Sequence, residues 1–270
     1  MEARARDRLP EAVYDYFAGG AGDEVTLAEN EEAWRHVWLR PRQLTGVSDA
    51  DPSITLLGHD LALPVLLAPA AAQRLLHPDG EVAAARAAAA AGTIFCLSTR
   101  ATADLAEVAE VAGPRWFQLY MHPDRDRVAR MLLRAAEHGY DQVVMTIDLP
   151  VAGRRERELR HGLIPMPEGV AVATHLGQDE PEFEGGPGSP ATGPAAPPPR
   201  EKPAVGGWAA LTWEDVGWVA EASGLPVVVK GVLTAQDAEL AVQGGASAIV
   251  VSNHGARQVD GCVPTAVALR

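Results

Sequence analysis

The chain has little cysteine, few aromatic residues and no excess of positive charge. Its two cysteines, Cys96 and Cys262, stand far apart and match no metal spacing. No metal site is expected from them, and two buried free thiols suit a reducing cytoplasm. Lysine and arginine number 23 against 36 aspartate and glutamate, a net charge of −13. No basic stripe appears, which argues against a nucleic-acid partner, although GRRERELR (Gly153–Arg160) is basic locally. No apolar run approaches the length of a bilayer span, and MEARARDRLPEAVYDYF at the N-terminus has no long apolar core. The expectation is a cytoplasmic protein with no signal peptide and no membrane partner.

What is present is an alternating rhythm. With 270 residues and 47% hydrophobic content, the chain can bury a substantial core in one large α/β domain or two small ones. Residues 4–18 read as an amphipathic helix closed by Gly19–Gly20, and Glu24–Arg35 as a second helix of a cap. Six apolar runs then read as buried strands: Pro64–Ala70, Thr93–Ser98, Arg115–Tyr120, Gln142–Ile147, Leu225–Lys230 and Ala246–Val251. Helical patterns lie between them at 78–92, 103–112, 124–138, 212–222 and 234–243. The stretch 169–207 breaks the rhythm, holding eight of the 21 prolines and almost no large apolar residue. It reads as a disordered insertion after the fourth strand. The expected organisation is one domain: a cap over 1–58, four strands over 59–168, the insertion over 169–207 and two strands over 208–270.

Continuous apolar strands alternating with helices imply a parallel sheet covered by helices. The rhythm alone fits both a doubly wound open sheet and a TIM barrel. No glycine occurs in APAAAQRLL after the first strand, which lowers the dinucleotide-binding version of the open sheet.

Every strand ends in a polar or backbone-presenting group. The first ends at Pro69, Ala70 and Ala71, the second at Ser98, the third at Gln118 and Tyr120. The fourth supplies Thr146 and Asp148, the fifth Lys230, the sixth Ser252, His254 and Arg257. Each residue alone is ordinary: serines and threonines cap helices, a terminal lysine snorkels, Arg154 and Arg155 form a solvated face. Six polar strand ends in series are harder to explain that way, because barrel enzymes place their chemistry at the C-terminal ends of strands. VSNHGARQVDG (Val251–Gly261) sets an imidazole and a guanidinium three residues apart in one loop. Such a pair suits proton abstraction beside a bound carboxylate.

The segments VYDYFAGGAGDEVTLAEN, WFQLY, TIDLPVAGRRERELR, VVVKGVLTAQDA and SNHGARQVDG, in this order, resemble the FMN-dependent 2-hydroxy acid oxidases and dehydrogenases. The resemblance runs from about residue 8 to the end, outside the proline-rich stretch. It implies a TIM (β/α)8-type barrel, incomplete here because about six βα units are present. It implies FMN as cofactor, a small 2-hydroxy acid as substrate and a homo-oligomer. By resemblance, Pro69, Ala70, Ala71, Ser98, Gln118, Thr146, Lys230 and Ser252 would surround the flavin, His254 would be the base and Asp148 its carboxylate partner. Tyr120 would face the substrate hydroxyl, Tyr16 and Arg257 would meet the substrate carboxylate, and Arg155 would be a further substrate-binding arginine at the mouth of the site.

Two departures stand out. Arg100 falls where better-known members often carry an aromatic residue, which suggests an altered substrate preference. The family also continues into a seventh and an eighth strand whose loops hold the FMN phosphate, and neither is present. Six strands cannot close an eight-stranded barrel. The expectation is weak FMN binding and self-association, with a catalytically impaired homologue as the alternative to an active oxidase. Another FMN barrel enzyme, such as an isomerase, is disfavoured by the His254/Arg257 pair with Tyr16 and Tyr120.

Overall fold

The computed structural model describes residues 2–162, 164, 166–173, 175 and 211–270. In chain order the elements are α1 (Glu2–Arg6), α2 (Glu11–Ala18), α3 (Val25–Arg35), β1 (Ile54–Leu56), β2 (His59–Leu61), α4 (Gly80–Ala90), β3 (Phe95–Ser98), α5 (Leu105–Ala109) and β4 (Arg115–Leu119). They continue with α6 (Arg125–Glu137), β5 (Val143–Thr146), α7 (Glu156–His161), α8 (Glu214–Ser223), β6 (Val227–Val232), α9 (Ala235–Gln243), β7 (Ala248–Val251) and α10 (Thr265–Ala268).

The strands β3 to β7 form one parallel sheet in sequence order. The first expected strand contributes a single parallel bridge, Leu67 to Phe95, rather than a ladder. Leu67 donates to Ile94 O and accepts from Cys96 N, both at 3.0 Å. Pro64 and Pro69 on either side have no N–H to extend the pairing. The result is the open arc of an incomplete (β/α)8-type barrel. The expected helix over 4–18 is two helices, because Pro10 takes extended backbone at the start of α2. The hairpin β1–β2 was not anticipated within the cap.

Side chains alternate across the sheet with the period of two that strands impose. Phe95, Leu97, Phe117, Leu119, Val143, Met145, Val227 and Val229 point to the helices and pack with Leu105, Val128, Leu132 and Val219 in the main core. The other face carries Cys96, Trp116, Val144 and Val228, packed against Leu61 of the hairpin. The same inner rows continue upward into Ser98, Gln118, Thr146 and Lys230, so one alternation makes an apolar floor and a polar rim. Three covering helices are capped at their first turn, by Asp104, Asp124 and Thr234. Of the cysteines, Cys96 is buried and Cys262 only half-buried, and both are free.

The expected insertion lies, over 176–207, outside the described residues. Its first residues do not leave the fold at Gly169. Ala173 N bonds to Ala101 O at 2.8 Å. His175 is fully buried, edge-on to Phe117 with ring centroids 5.4 Å apart, and its Nε2 lies 3.2 Å from Ser98 O.

A buried carboxylate ties the first two strand ends together. Glu81 on α4 is 0% exposed. Its Oε1 accepts from Gln73 N and Thr102 N, both at 2.9 Å, and its Oε2 from Thr102 Oγ1 at 2.8 Å. Replacing it leaves buried donors without a partner, so Glu81→Ala is expected to cost about 3 kcal/mol, read as a lower midpoint of denaturant unfolding. His175 yields a pH prediction. Burial, as the main cause, pushes its pKa down from 6.5 to about 4. The unfolded chain therefore binds more protons between those values, and stability must fall as pH drops through that window and level off below it. The effect is roughly 3 kcal/mol at most. Thermal unfolding from pH 7 to pH 4 should be less pH-dependent in His175→Gln than in the wild type.

Candidate active site

The polar strand ends converge on a cavity of about 360 Å3. Of the residues singled out from the sequence, Tyr16, Pro69, Ala70, Ala71, Ser98, Tyr120, Thr146, Arg155, Lys230, Ser252, His254 and Arg257 line it. Gln118 and Asp148 lie directly behind. Gln118 Oε1 accepts from Ser98 Oγ at 3.1 Å, and its Nε2 donates to Thr146 Oγ1 at 3.0 Å. This buried amide therefore fixes the hydroxyls of the two neighbouring strand ends.

His254 stands between an acid and a phenol. Its Nδ1 is 2.7 Å from Asp148 Oδ1, and its Nε2 is 3.2 Å from the Tyr120 hydroxyl. The Tyr120 and His254 rings are stacked, with centroids 6.3 Å apart. Burial, aided by Asp148, pushes the Tyr120 pKa up, so this phenol stays protonated. Asp148 also approaches Lys230, with Oδ2 3.9 Å from Nζ. That approach depends on Gly231. The ladder between β6 and β7 shifts register between Lys230 and Val232. Gly231 has φ +115, and any Cβ there would meet Asp148 Cβ at 2.7 Å. The bulge re-aims Lys230 into the cavity and makes room for the carboxylate.

The loop after β7 has an unusual backbone. His254, Gly255 and Ala256 have φ of 59, 66 and 61, all left-handed. Such conformations cost on the order of 1–3 kcal/mol at a residue with a side chain, and surrounding bonds must hold them. Asn253 Oδ1 accepts from Ala256 N at 3.1 Å, and its Nδ2 donates to Asn30 Oδ1 at 2.8 Å. Ala256 O accepts from Ala21 N at 2.8 Å. Asp260 accepts from Asp23 N at 2.9 Å and Thr26 N at 2.8 Å, capping α3 across 234 positions of sequence. The N-terminal cap is thus stitched to this loop.

Arg257 belongs to the same seam. Its Nη1 donates to Tyr16 O at 2.6 Å and Gly19 O at 2.9 Å, and its guanidinium lies 5.1 Å from the Tyr16 ring centroid. Its Nη2 donates to Glu158 Oε1 at 3.0 Å. The same oxygen is 3.1 Å from Arg155 Nε. Glu158 therefore joins the two arginines, and burial pushes its pKa up although both guanidinium groups oppose the shift. Burial, reinforced by Arg257, pushes the Arg155 pKa down. Sequence reasoning took GRRERELR for a basic patch and missed Glu158. The signal was the acid alternating with arginines in that run. It also missed Gln258, whose Oε1 accepts from Gly153 N at 2.7 Å. A Cβ on Gly153 would overlap Arg257 O, so this contact admits glycine alone. Arg100 lines the cavity and is 7% exposed, so it does not point to solvent.

Chemically, the site offers a base with a fixed acid partner, a neutral phenol beside it, an ammonium on the floor and several guanidinium groups on the wall. Comparison with known proteins agrees with that inventory. The profile of the FMN-dependent dehydrogenase family matches residues 5–270. Glycolate oxidase of Spinacia oleracea is 42% identical over 276 residues, covering 99% of this chain and 70% of that protein. Glycolate oxidase 3 of Arabidopsis thaliana is 42% identical over 269 residues, covering 99% and 71%. Among solved structures, mandelate oxidase with (S)-2-phenylpropionate superposes with a TM-score of 0.82 at 40% identity, covering 98% of this chain and 70% of that one. The chain belongs to the FMN-dependent dehydrogenase family.

Proposed function

We propose that the chain carries out FMN-dependent oxidation of a 2-hydroxy acid to the 2-oxo acid. The observation that carries this reading is the position of His254, bonded to Asp148 on one side and to Tyr120 on the other, at a cavity floored by Lys230. The mandelate oxidase and glycolate oxidase relatives support it.

The residues present fit the ring end of FMN. Hydroxyls of Ser98, Thr146 and Ser252, the Lys230 ammonium and the backbone of Ala68–Ala71 share one cavity. This donor-rich set matches a flat heterocycle carrying carbonyl oxygens and ring nitrogens. Asp148 Oδ2 is buried without a hydrogen bond, and it balances the nearby ammonium. FMN, when bound, supplies the acceptor for two electrons.

With Nδ1 donating to Asp148, His254 keeps Nε2 as an acceptor facing the cavity. Nε2 takes one of the two protons that the alcohol loses on becoming a 2-oxo acid, the other leaving with the two electrons that bound FMN would accept, and Asp148 then holds the imidazolium by a charge-assisted bond. Tyr120, kept neutral by burial, donates to whichever oxygen or nitrogen faces it. Arg155 and Arg257 orient the carboxylate so that the α-carbon is held in place. Lys230 places a positive charge where negative charge develops on the floor of the site.

Reconstitution tests this directly. FMN added to the purified chain in large excess, to offset the weak binding expected without a phosphate site, should give a yellow protein whose visible absorbance bleaches anaerobically on adding a 2-hydroxy acid. His254→Asn should still bind FMN, with bleaching slowed by about 10²–10⁴-fold. A yellow wild type that no 2-hydroxy acid bleaches would instead favour the impaired homologue.

A further inference from the structure

The unit of Arg155, Glu158 and Arg257 holds two cations and one anion, and its members are not equally placed. Both guanidinium groups belong to the residues that line the cavity, and Glu158 does not. The carboxylate stands behind them, with 17% of its side chain exposed. A ligand in the cavity therefore meets the arginines directly and feels Glu158 through its charge. Ionised, Glu158 leaves the unit one net positive charge, the complement of a single carboxylate. Neutral, it leaves two.

The geometry lets Glu158 change charge without releasing either arginine. The nearest approach of each guanidinium is to the same oxygen: Arg257 Nη2 lies 3.0 Å and Arg155 Nε 3.1 Å from Oε1. A proton on Oε2 leaves Oε1 as an acceptor for both. Burial presses toward that neutral form, pushing the Glu158 pKa up against the pull of Arg155 and Arg257. Elsewhere on α7, Arg157 turns to Asp15 and Glu24 of the cap, and His161 to Asp15. From α2, the Tyr16 ring lies against the Arg257 guanidinium. Arg100, Tyr120 and His254 line the same cavity. A carboxylate bound at the two arginines adds an anion near Glu158, which favours its protonation further.

We propose that Glu158 is the positioning residue that sets the charge of the carboxylate site: ionised, it matches the two arginines to one substrate carboxylate, and taking up a proton from solvent it tightens the hold on that carboxylate. This rests on the oxidase reading above and adds a regulation of the same site. The acid and its 2-oxo product are both held more firmly as pH falls, and the proton returns to solvent when they leave.

Calorimetry on the chain in excess FMN tests the proposal without turnover. The probe is 2-hydroxy-2-methylpropanoate, which has the carboxylate and hydroxyl of a 2-hydroxy acid and no α-hydrogen to lose. Glu158→Gln copies the protonated acid, with an amide oxygen in place of Oε1. At pH 8 this variant should bind the probe at least about fivefold more tightly than the wild type, and the gap should close to within about twofold by pH 5. Any charge change at His254 is common to both proteins and cancels in that comparison. A purely structural Glu158 requires the reverse, weaker binding in Glu158→Gln at every pH. That result, or a gap that does not change with pH, would overturn the proposal. A second measurement holds whether or not the variant folds. Binding heats in buffers of different ionisation heat should show net proton uptake in the wild type, and uptake should persist in His254→Asn. Its loss in His254→Asn would assign the proton to the imidazole and overturn the role of Glu158. Anaerobic bleaching separates the proposal from its parent. The expected gap with no bleaching by any 2-hydroxy acid overturns the oxidase and sustains Glu158, and bleaching without the gap does the opposite. No binding of the probe at any pH would overturn the carboxylate site, and the role of Glu158 with it.

Discussion

The hydrogen bond between His254 Nδ1 and Asp148 Oδ1, 2.7 Å long, is the contact on which the rest of the site depends. It joins the end of the fourth expected strand to the loop after the last one, 106 residues apart in sequence. Both partners depend on unusual backbone, one on its neighbour's and one on its own. Asp148 enters through the space left by Gly231, where a side chain would collide with it. His254 reaches it from a left-handed loop that the N-terminal cap holds closed through Ala21, Asn30 and the α3 terminus. The cap is therefore part of the site. Tyr16 contributes a ring to the cavity and a carbonyl to Arg257 in the same stroke.

Around the cavity, the described residues arrange charge in two largely buried units. Asp148 serves His254 and Lys230, and Glu158 serves Arg155 and Arg257. Burying such groups is costly unless each ion meets a partner. The opposing shifts at Arg155, pushed down, and Glu158, pushed up, record that cost on both sides of one pair. A carboxylate behind two guanidinium groups fixes their planes while leaving the cavity lining itself cationic. That polarity sets the sign of any ligand the wall accepts.

Much of this was legible before any coordinates. Alternation along WFQLY put Trp116 and Gln118 on one face and Phe117 and Leu119 on the other, and the core clusters divide the same way. The polar strand ends share a cavity because a parallel sheet brings all its C-terminal ends to one side. What stayed hidden was long-range or depended on local pairing. Asp260 caps a helix that starts 235 residues earlier, and no local pattern announces such a partner. Glu158 was missed because one of its two arginines, Arg257, comes from a loop 99 residues away. The first strand shrank to the Leu67 bridge because flanking prolines withhold donors. His175 fell in a stretch whose composition reads as unstructured, yet a ring edge against Phe117 and a carbonyl from Ser98 are enough to bury it.

The claim that Asp148 and His254 act as one unit is tested most directly by a double-mutant cycle on the anaerobic bleaching rate of the FMN-loaded chain. Asp148→Ala and His254→Ala should each slow bleaching steeply, and the double variant should be no slower than His254→Ala alone. Independent, additive losses in the double variant would contradict the account, because they would show that the carboxylate acts on something other than the imidazole.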